Sequence, residues 1–160
     1  MLKRWGRVPL YLLCVSMLFV LFTRTHKFLT VSGFSMVPTL DDRDICIVAN
    51  FIEPQRGEIY VVEEPDAEPL AIKRLIGVPG DTVELRDCLT FVNGVEMELD
   101  ITGTWESMVF HLGADEYLFI GDNREASYDG RYWSRPVTRA EILYRVDTRI
   151  YPLSKFGRLG

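Results

Sequence analysis

Three segments of the chain carry residue types that could do chemistry. The first is Ser32-Gly33-Phe34-Ser35-Met36-Val37-Pro38-Thr39-Leu40. A serine hydroxyl is a poor nucleophile until a base removes its proton. Gly33 lets the chain turn sharply before Ser35, and Pro38 fixes it just beyond. Such a loop could expose the hydroxyl and aim a backbone N–H at an oxyanion, or it could be an ordinary Ser/Gly/Pro turn. The second is Ile72-Lys73-Arg74-Leu75-Ile76-Gly77-Val78-Pro79-Gly80-Asp81. Its two basic residues are flanked by apolar ones on an expected strand, where neighbours point to opposite faces, so one of them could face inward. A lysine facing an apolar interior loses hydration and its pKa falls. A neutral Lys73 amine near Ser35 could then take the hydroxyl proton, as general-base lysines tuned to roughly 7–8 do. The plainer alternative is a solvated basic pair on a strand edge. The third segment, Gly121 to Trp133, is too polar for a core strand and too aromatic for a plain loop. Asp129 and Arg131 could pair and hold it, and Ser127 could orient the lysine amine. Alternatively, it is a salt-bridged surface turn.

These groups must be positioned by elements whose pattern reads as strand. Short apolar runs at Asp44–Phe51, Glu58–Glu63, Leu70–Val78, Glu116–Ile120 and Ile142–Tyr151 are separated by turn signals, among them Pro79-Gly80-Asp81 and Gly121-Asp122-Asn123. Thr82–Leu85 and Leu89–Val92 read as a hairpin, with Asn93-Gly94 marking a further turn. The expectation is a mainly β domain over 31–160, a barrel or coiled sheet, with no soluble helix of four turns. Residues 8–23 differ: they are uncharged and almost wholly apolar. As a helix they span about 24 Å, slightly short of a hydrocarbon core of about 30 Å. Trp5 and the stems of Arg7, Arg24 and Lys27 could extend the span at the interfaces, and Pro9 falls in the first turn, where it is tolerated. The run is followed by Arg24-Thr25-His26-Lys27 rather than a small-x-small cleavage site, which favours a retained transmembrane helix over a cleaved leader. Residues 1–7 then form a cytoplasmic N-terminus, on a weak excess of positive charge, and 24–30 a juxtamembrane segment.

Composition closes off other classes. The 160 residues carry a net charge of −5 without a basic stripe, which disfavours nucleic-acid binding. Cys14, Cys46 and Cys88 lack the spacing of a zinc site, no metal or cofactor is expected, and Cys46 and Cys88 are read as free thiols. His26 and His111 are far apart in sequence and sit in no triad motif.

In order and spacing the three motifs resemble those of the bacterial type I signal peptidases, membrane-bound Ser–Lys peptidases, with the likeness closest to the Gram-positive type. It runs from about residue 31 to the end and includes Arg56-Gly57-Glu58-Ile59 and Tyr151-Pro152-Leu153-Ser154-Lys155-Phe156-Gly157. The resemblance implies that Ser35 is the nucleophile and Lys73 the general base, and that Ser127 positions the amine. It implies a structural ion pair at Asp129 and Arg131, with Asp122 an acid of the same motif. Met36, Leu40 and Ile72 would line the pocket for the substrate residue before the cut, with Val31 and Cys46 near the pocket two residues further back. It implies removal of signal peptides from exported pre-proteins after small residues, through an acyl-enzyme. The chain would be anchored in a lipid bilayer, with the catalytic domain on the extracytoplasmic face. Some relatives carry a serine at the position of Gly33, whose hydroxyl serves the oxyanion hole. Gly130 replaces a usual serine, Ser134 a usual glycine, and Arg43 a usual glycine. Three other readings stay open: a conjugation-associated maturation peptidase that shares the dyad but cleaves one dedicated substrate, a cytosolic self-cleaving Ser–Lys repressor, against which the N-terminal apolar span speaks, and a membrane-tethered binding module with a degenerate site, against which the intact Ser35 and Lys73 speak.

Overall fold

The computed structural model describes residues 7–50, 53–66, 70–99 and 106–159. The apolar run lies within a helix, α1 (Arg7–Thr25), whose Leu10, Leu12, Leu13, Leu18 and Leu21 are exposed. Among the described residues no helix is long and apolar enough to cross a membrane. The helix passes without a loop into β1 (His26–Thr30). Residues expected as a juxtamembrane segment therefore form an edge strand, paired in antiparallel register with β2 (Ile45–Ala49). Lys27 secures the transition: its ammonium donates to the Tyr144 hydroxyl and lies 4.4 Å from the centre of that ring, a cation–π contact.

The rest of the chain is mainly β, as its pattern implied. β3 (Ile59–Val62), β4 (Ala71–Gly77), β9 (Leu118–Ile120) and β10 (Ile142–Tyr151) complete the larger sheet in the order β1-β2-β10-β3-β4-β9, and β11 (Gly157–Arg158) pairs with β10. β10 is the spine. It pairs with β3 through its first half and β2 through its second, with register shifts at Ile142/Tyr144, Val146/Thr148 and Arg149/Tyr151. Such bulges bend and twist a strand, which lets one ten-residue element serve both partners. The smaller sheet holds β5 (Thr82–Arg86), β6 (Leu89–Val92), β7 (Val95–Glu96) and β8 (Met108–His111) in the order β7-β6-β5-β8. Its expected β5–β6 hairpin turns at Asp87-Cys88.

Three apolar clusters hold these layers. One packs Val31, Met36 and Leu40 against Cys46, Val48, Ile59, Val61 and Val146, beneath the loop that carries Ser35. A second gathers Tyr60, Leu75, Phe119 and Trp133 between β3, β4 and β9. A third joins Ile76, Leu118 and Ile120 to Val83, Leu85 and Val92 of the small sheet. Each fully buried side chain of this kind contributes roughly 1.5–3 kcal/mol, so β4 is fixed from both faces: Leu75 belongs to one cluster and Ile76 to another.

Candidate active site

The connection between β1 and β2 is the loop that holds Ser35. Its neck is closed by Val31 N–H donating to Asp44 O at 2.8 Å and Arg43 N–H donating to Val31 O at 2.9 Å. Gly33 takes φ +93°, a left-handed conformation that side chains resist, and its N–H donates to Asp42 Oδ1 at 2.9 Å. Arg43 holds φ +68° at the position where the resemblance has a glycine. Met36 and Leu40 plunge into the first cluster, which leaves the half-buried Ser35 just before them at the edge of the loop.

Lys73 meets Ser35 from β4, opposite Tyr60 of β3. Its Nζ hydrogen-bonds Ser35 Oγ at 3.0 Å, and the residue is only 5 % exposed. Burial lowers the Lys73 pKa from the ordinary lysine value; Asp129 and Glu64 work against that shift, and Arg131 with it. Arg74, next along the strand, is already committed. Its Nε donates to Asp122 Oδ1 at 2.8 Å and its Nη2 to Oδ2 at 2.6 Å, a bidentate pair. Thr39 Oγ1 donates to the same carboxylate at 2.6 Å. Asp122 thus ties the serine loop and β4 to the third motif.

That motif begins where β9 ends, and β9 pairs with β4 so that Ile120 faces Arg74. Asn123 lashes it to the serine loop, its N–H donating to Ser35 O at 3.0 Å and its Nδ2 to Phe34 O at 3.1 Å. Asp129 and Arg131 form the expected ion pair, fully buried, with Nε to Oδ1 at 2.8 Å and Nη2 to Oδ2 at 3.0 Å. Asp129 Oδ2 also accepts the Gly121 N–H at 2.9 Å, and Arg131 donates to the carbonyls of Arg124 and Ser127. Ser127 is buried, but among the described residues its Oγ makes no hydrogen bond, so the contact with Lys73 that the resemblance implies is not formed in this structure. Instead it lies against Gly121. A Cβ on Gly121 would sit 2.3 Å from Ser127 Oγ and 2.5 Å from Ser35 O.

A cleft of about 180 Å³ opens beside Ser35 and Lys73. Val31, Gly33, Met36 and Ile72 line it, together with Glu64. Leu40 and Cys46, expected at the substrate pockets, do not: both are completely buried in the core beneath the loop. Burial, with Asp44 nearby, pushes the Cys46 thiol up to about 11, which makes it a packing group rather than a reactive one. Cys14, Cys46 and Cys88 are all free. His111 lies in the small sheet against Thr82, and neither it nor His26 lines the cleft.

The chain matches the signal peptidase, peptidase S26, family over residues 2–151. It belongs to that family. Among the similar proteins is signal peptidase I of Leptolyngbya laminosa, 33 % identical over 141 residues, which cover 79 % of this chain and 69 % of that protein. Signal peptidase IB of Staphylococcus aureus is 30 % identical, with 91 % of each chain covered. A probable signal peptidase I-2 of Synechocystis is 35 % identical, and the match spans 65 % of that relative. Among solved structures, a signal peptidase I from Enterococcus faecalis aligns with a TM-score of 0.54 at 27 % identity, covering 61 % of this chain and 99 % of that one. The type I signal peptidases that the motifs resemble are thus the relatives of this chain.

Several residues of the site of this signal peptidase family member were given no role from sequence: Thr39, Glu64, Arg74, Gly121 and Asn123. Arg74 and Asp122 are 48 positions apart, and nothing local announces their pairing. Gly121 looks like a turn glycine until Ser35 and Ser127 are known to converge on it. Gly121→Ala should cost cleavage activity by about a hundredfold, since a displacement of about 1 Å in a catalytic group is worth that much. Initial-rate assays on a peptide substrate would measure this, and near-normal cleavage would show that the close approach is not required.

Proposed function

We propose that this protein removes N-terminal signal peptides from exported pre-proteins with Ser35 as nucleophile and Lys73 as general base. The observation that carries the reading is the 3.0 Å contact between Lys73 Nζ and Ser35 Oγ at a lysine withdrawn from water. The neutral amine takes the hydroxyl proton as Oγ attacks the peptide carbonyl, and the Ser35 N–H stabilises the oxyanion. The resulting ammonium gives its proton to the departing amine as the C–N bond breaks. Lys73, neutral again, draws a proton from a water that attacks the acyl-enzyme and releases the acid. The substrate lies extended along the cleft between the segment before Ser35 and the start of β4, by strand addition. Val31, Met36 and Ile72 form shallow apolar walls there that suit small side chains. Ser127, whose buried hydroxyl is unpaired among the described residues, steadies the amine during the cycle. The Asp129–Arg131 pair keeps the wall behind Lys73 rigid, its two charges acting on Lys73 in opposite directions.

Cleavage should rise with pH as Lys73 loses its proton. The midpoint should fall below the ordinary lysine value of 10.5, because burial disfavours the ammonium. Lys73→Arg should lose activity roughly a thousandfold or more at every pH, since a guanidinium does not deprotonate, and Ser35→Ala should do the same. Processing of a precursor by the three proteins across pH tests this, and a pH profile that survives in Lys73→Arg would contradict it.

The same reading places residues 8–23 in a bilayer as a single span, with 1–7 cytoplasmic and 31–160 outside. Its support is the uncharged run, the exposed leucines of α1, and the basic Arg24 in the last turn of the helix. Protease added to intact spheroplasts should degrade the catalytic domain, and carbonate should leave the protein in the membrane. A protected domain or a carbonate-soluble protein would overturn the topology.

A further inference from the structure

Among the described residues lining the cleft, Glu64 is the only carboxylate. It lies two residues beyond the end of β3, and the chain is tied down on either side of it. Glu63 N–H donates to Glu141 O at 3.0 Å. Asp66 accepts the Ser134 N–H at 2.8 Å as well as the Ser134 and Tyr128 hydroxyls. Pro65 lies between, with its φ fixed by its ring. Glu64 is therefore held at the lip of the cleft by the backbone on both sides. It is half-buried, and among the described residues its own carboxylate makes no hydrogen bond or ion pair. The contrast with the other acids of the site is sharp: Asp122 is consumed by Arg74 and Thr39, and Asp129 by Arg131 and Gly121. Lys73 feels its field, but the two are not paired.

A partly desolvated carboxylate without a partner is poised for a cation supplied from outside. Lys73 is not a standing partner for it, because its amine is neutral in the resting enzyme to act as base and carries a charge only until it passes the proton on. We propose that Glu64 is a specificity residue, favouring substrates with lysine or arginine at the cut-flanking position that lies against it and disfavouring acidic residues there. This rests on the peptidase reading above and adds to it a charge preference beside the small-residue pockets.

The test uses the full-length protein in detergent micelles and a set of precursor peptides. Each position flanking the cut is in turn alanine, lysine or glutamate, and kcat/KM is compared between lysine and glutamate at the same position. Wild type should favour lysine at one position by about tenfold, the scale expected for one partly solvated charge contact. Glu64→Gln should bring that ratio close to one, and Glu64→Lys should invert it. A ratio that is the same in all three proteins, whatever happens to their overall rates, overturns the proposal while leaving the peptidase intact. In that case Glu64 acts only through Lys73, and the variants shift the pH profile for every peptide alike. Failure of wild type to cleave any peptide overturns the peptidase reading and this proposal with it.

Discussion

A lysine side chain withdrawn from water beside a serine is the constraint on which the rest of the structure turns. Burying an unpaired ammonium costs several kcal/mol, and a lysine in that position escapes the cost by giving up its proton. The fold has to hold Lys73 where water cannot solvate it, and burial has to outweigh the carboxylates that would restore the charge. It does: burial lowers the Lys73 pKa although Asp129 and Glu64 pull the other way. β4 is locked by clusters on its two faces. Asp129, a buried acid whose charge bears on Lys73, is paired with a bidentate arginine, and Asp122 is turned toward Arg74 on the opposite face of the strand.

The serine is held with comparable economy. A glycine with positive φ before it, two apolar anchors after it and two hydrogen bonds from Asn123 fix the loop on three sides. None of these contacts uses the Ser35 hydroxyl, which is left to Lys73. The third motif thus acts as a clamp. It leaves β9 beside β4, grips the carbonyls of Phe34 and Ser35, and folds back through Asp129 onto Gly121. One short segment positions both partners, so a disturbance at Gly121 or Asp129 would reach the nucleophile and the base together.

The strands and the three motifs were legible in the sequence because each is local. Alternating apolar runs mark β2 to β6, and the residues around Ser35, Lys73 and Asp129 carry their chemistry in a few consecutive positions. What could not be read was long-range or depended on depth. β1 was obscured by lying directly after the apolar helix, where His-Lys-Phe-Leu-Thr reads as a flank. β8 is largely exposed and shows no buried face until it pairs with β5. Leu40 and Cys46 were expected at the substrate pockets, and nothing in residue type separates the lining of a cleft from the core one layer below it. Arg74 shared the ambiguity of its neighbour: strand alternation says that Lys73 and Arg74 face apart, but only the sheet shows which of them meets the serine.

The most direct measurement is the titration of the Lys73 amine itself, followed by heteronuclear NMR of the lysine side chains in the intact protein. A midpoint below 10.5, assigned by the loss of that signal in Lys73→Arg, is the predicted result. A midpoint at or above that value would mean that the amine stays charged at the serine, and Lys73 could not then be the base.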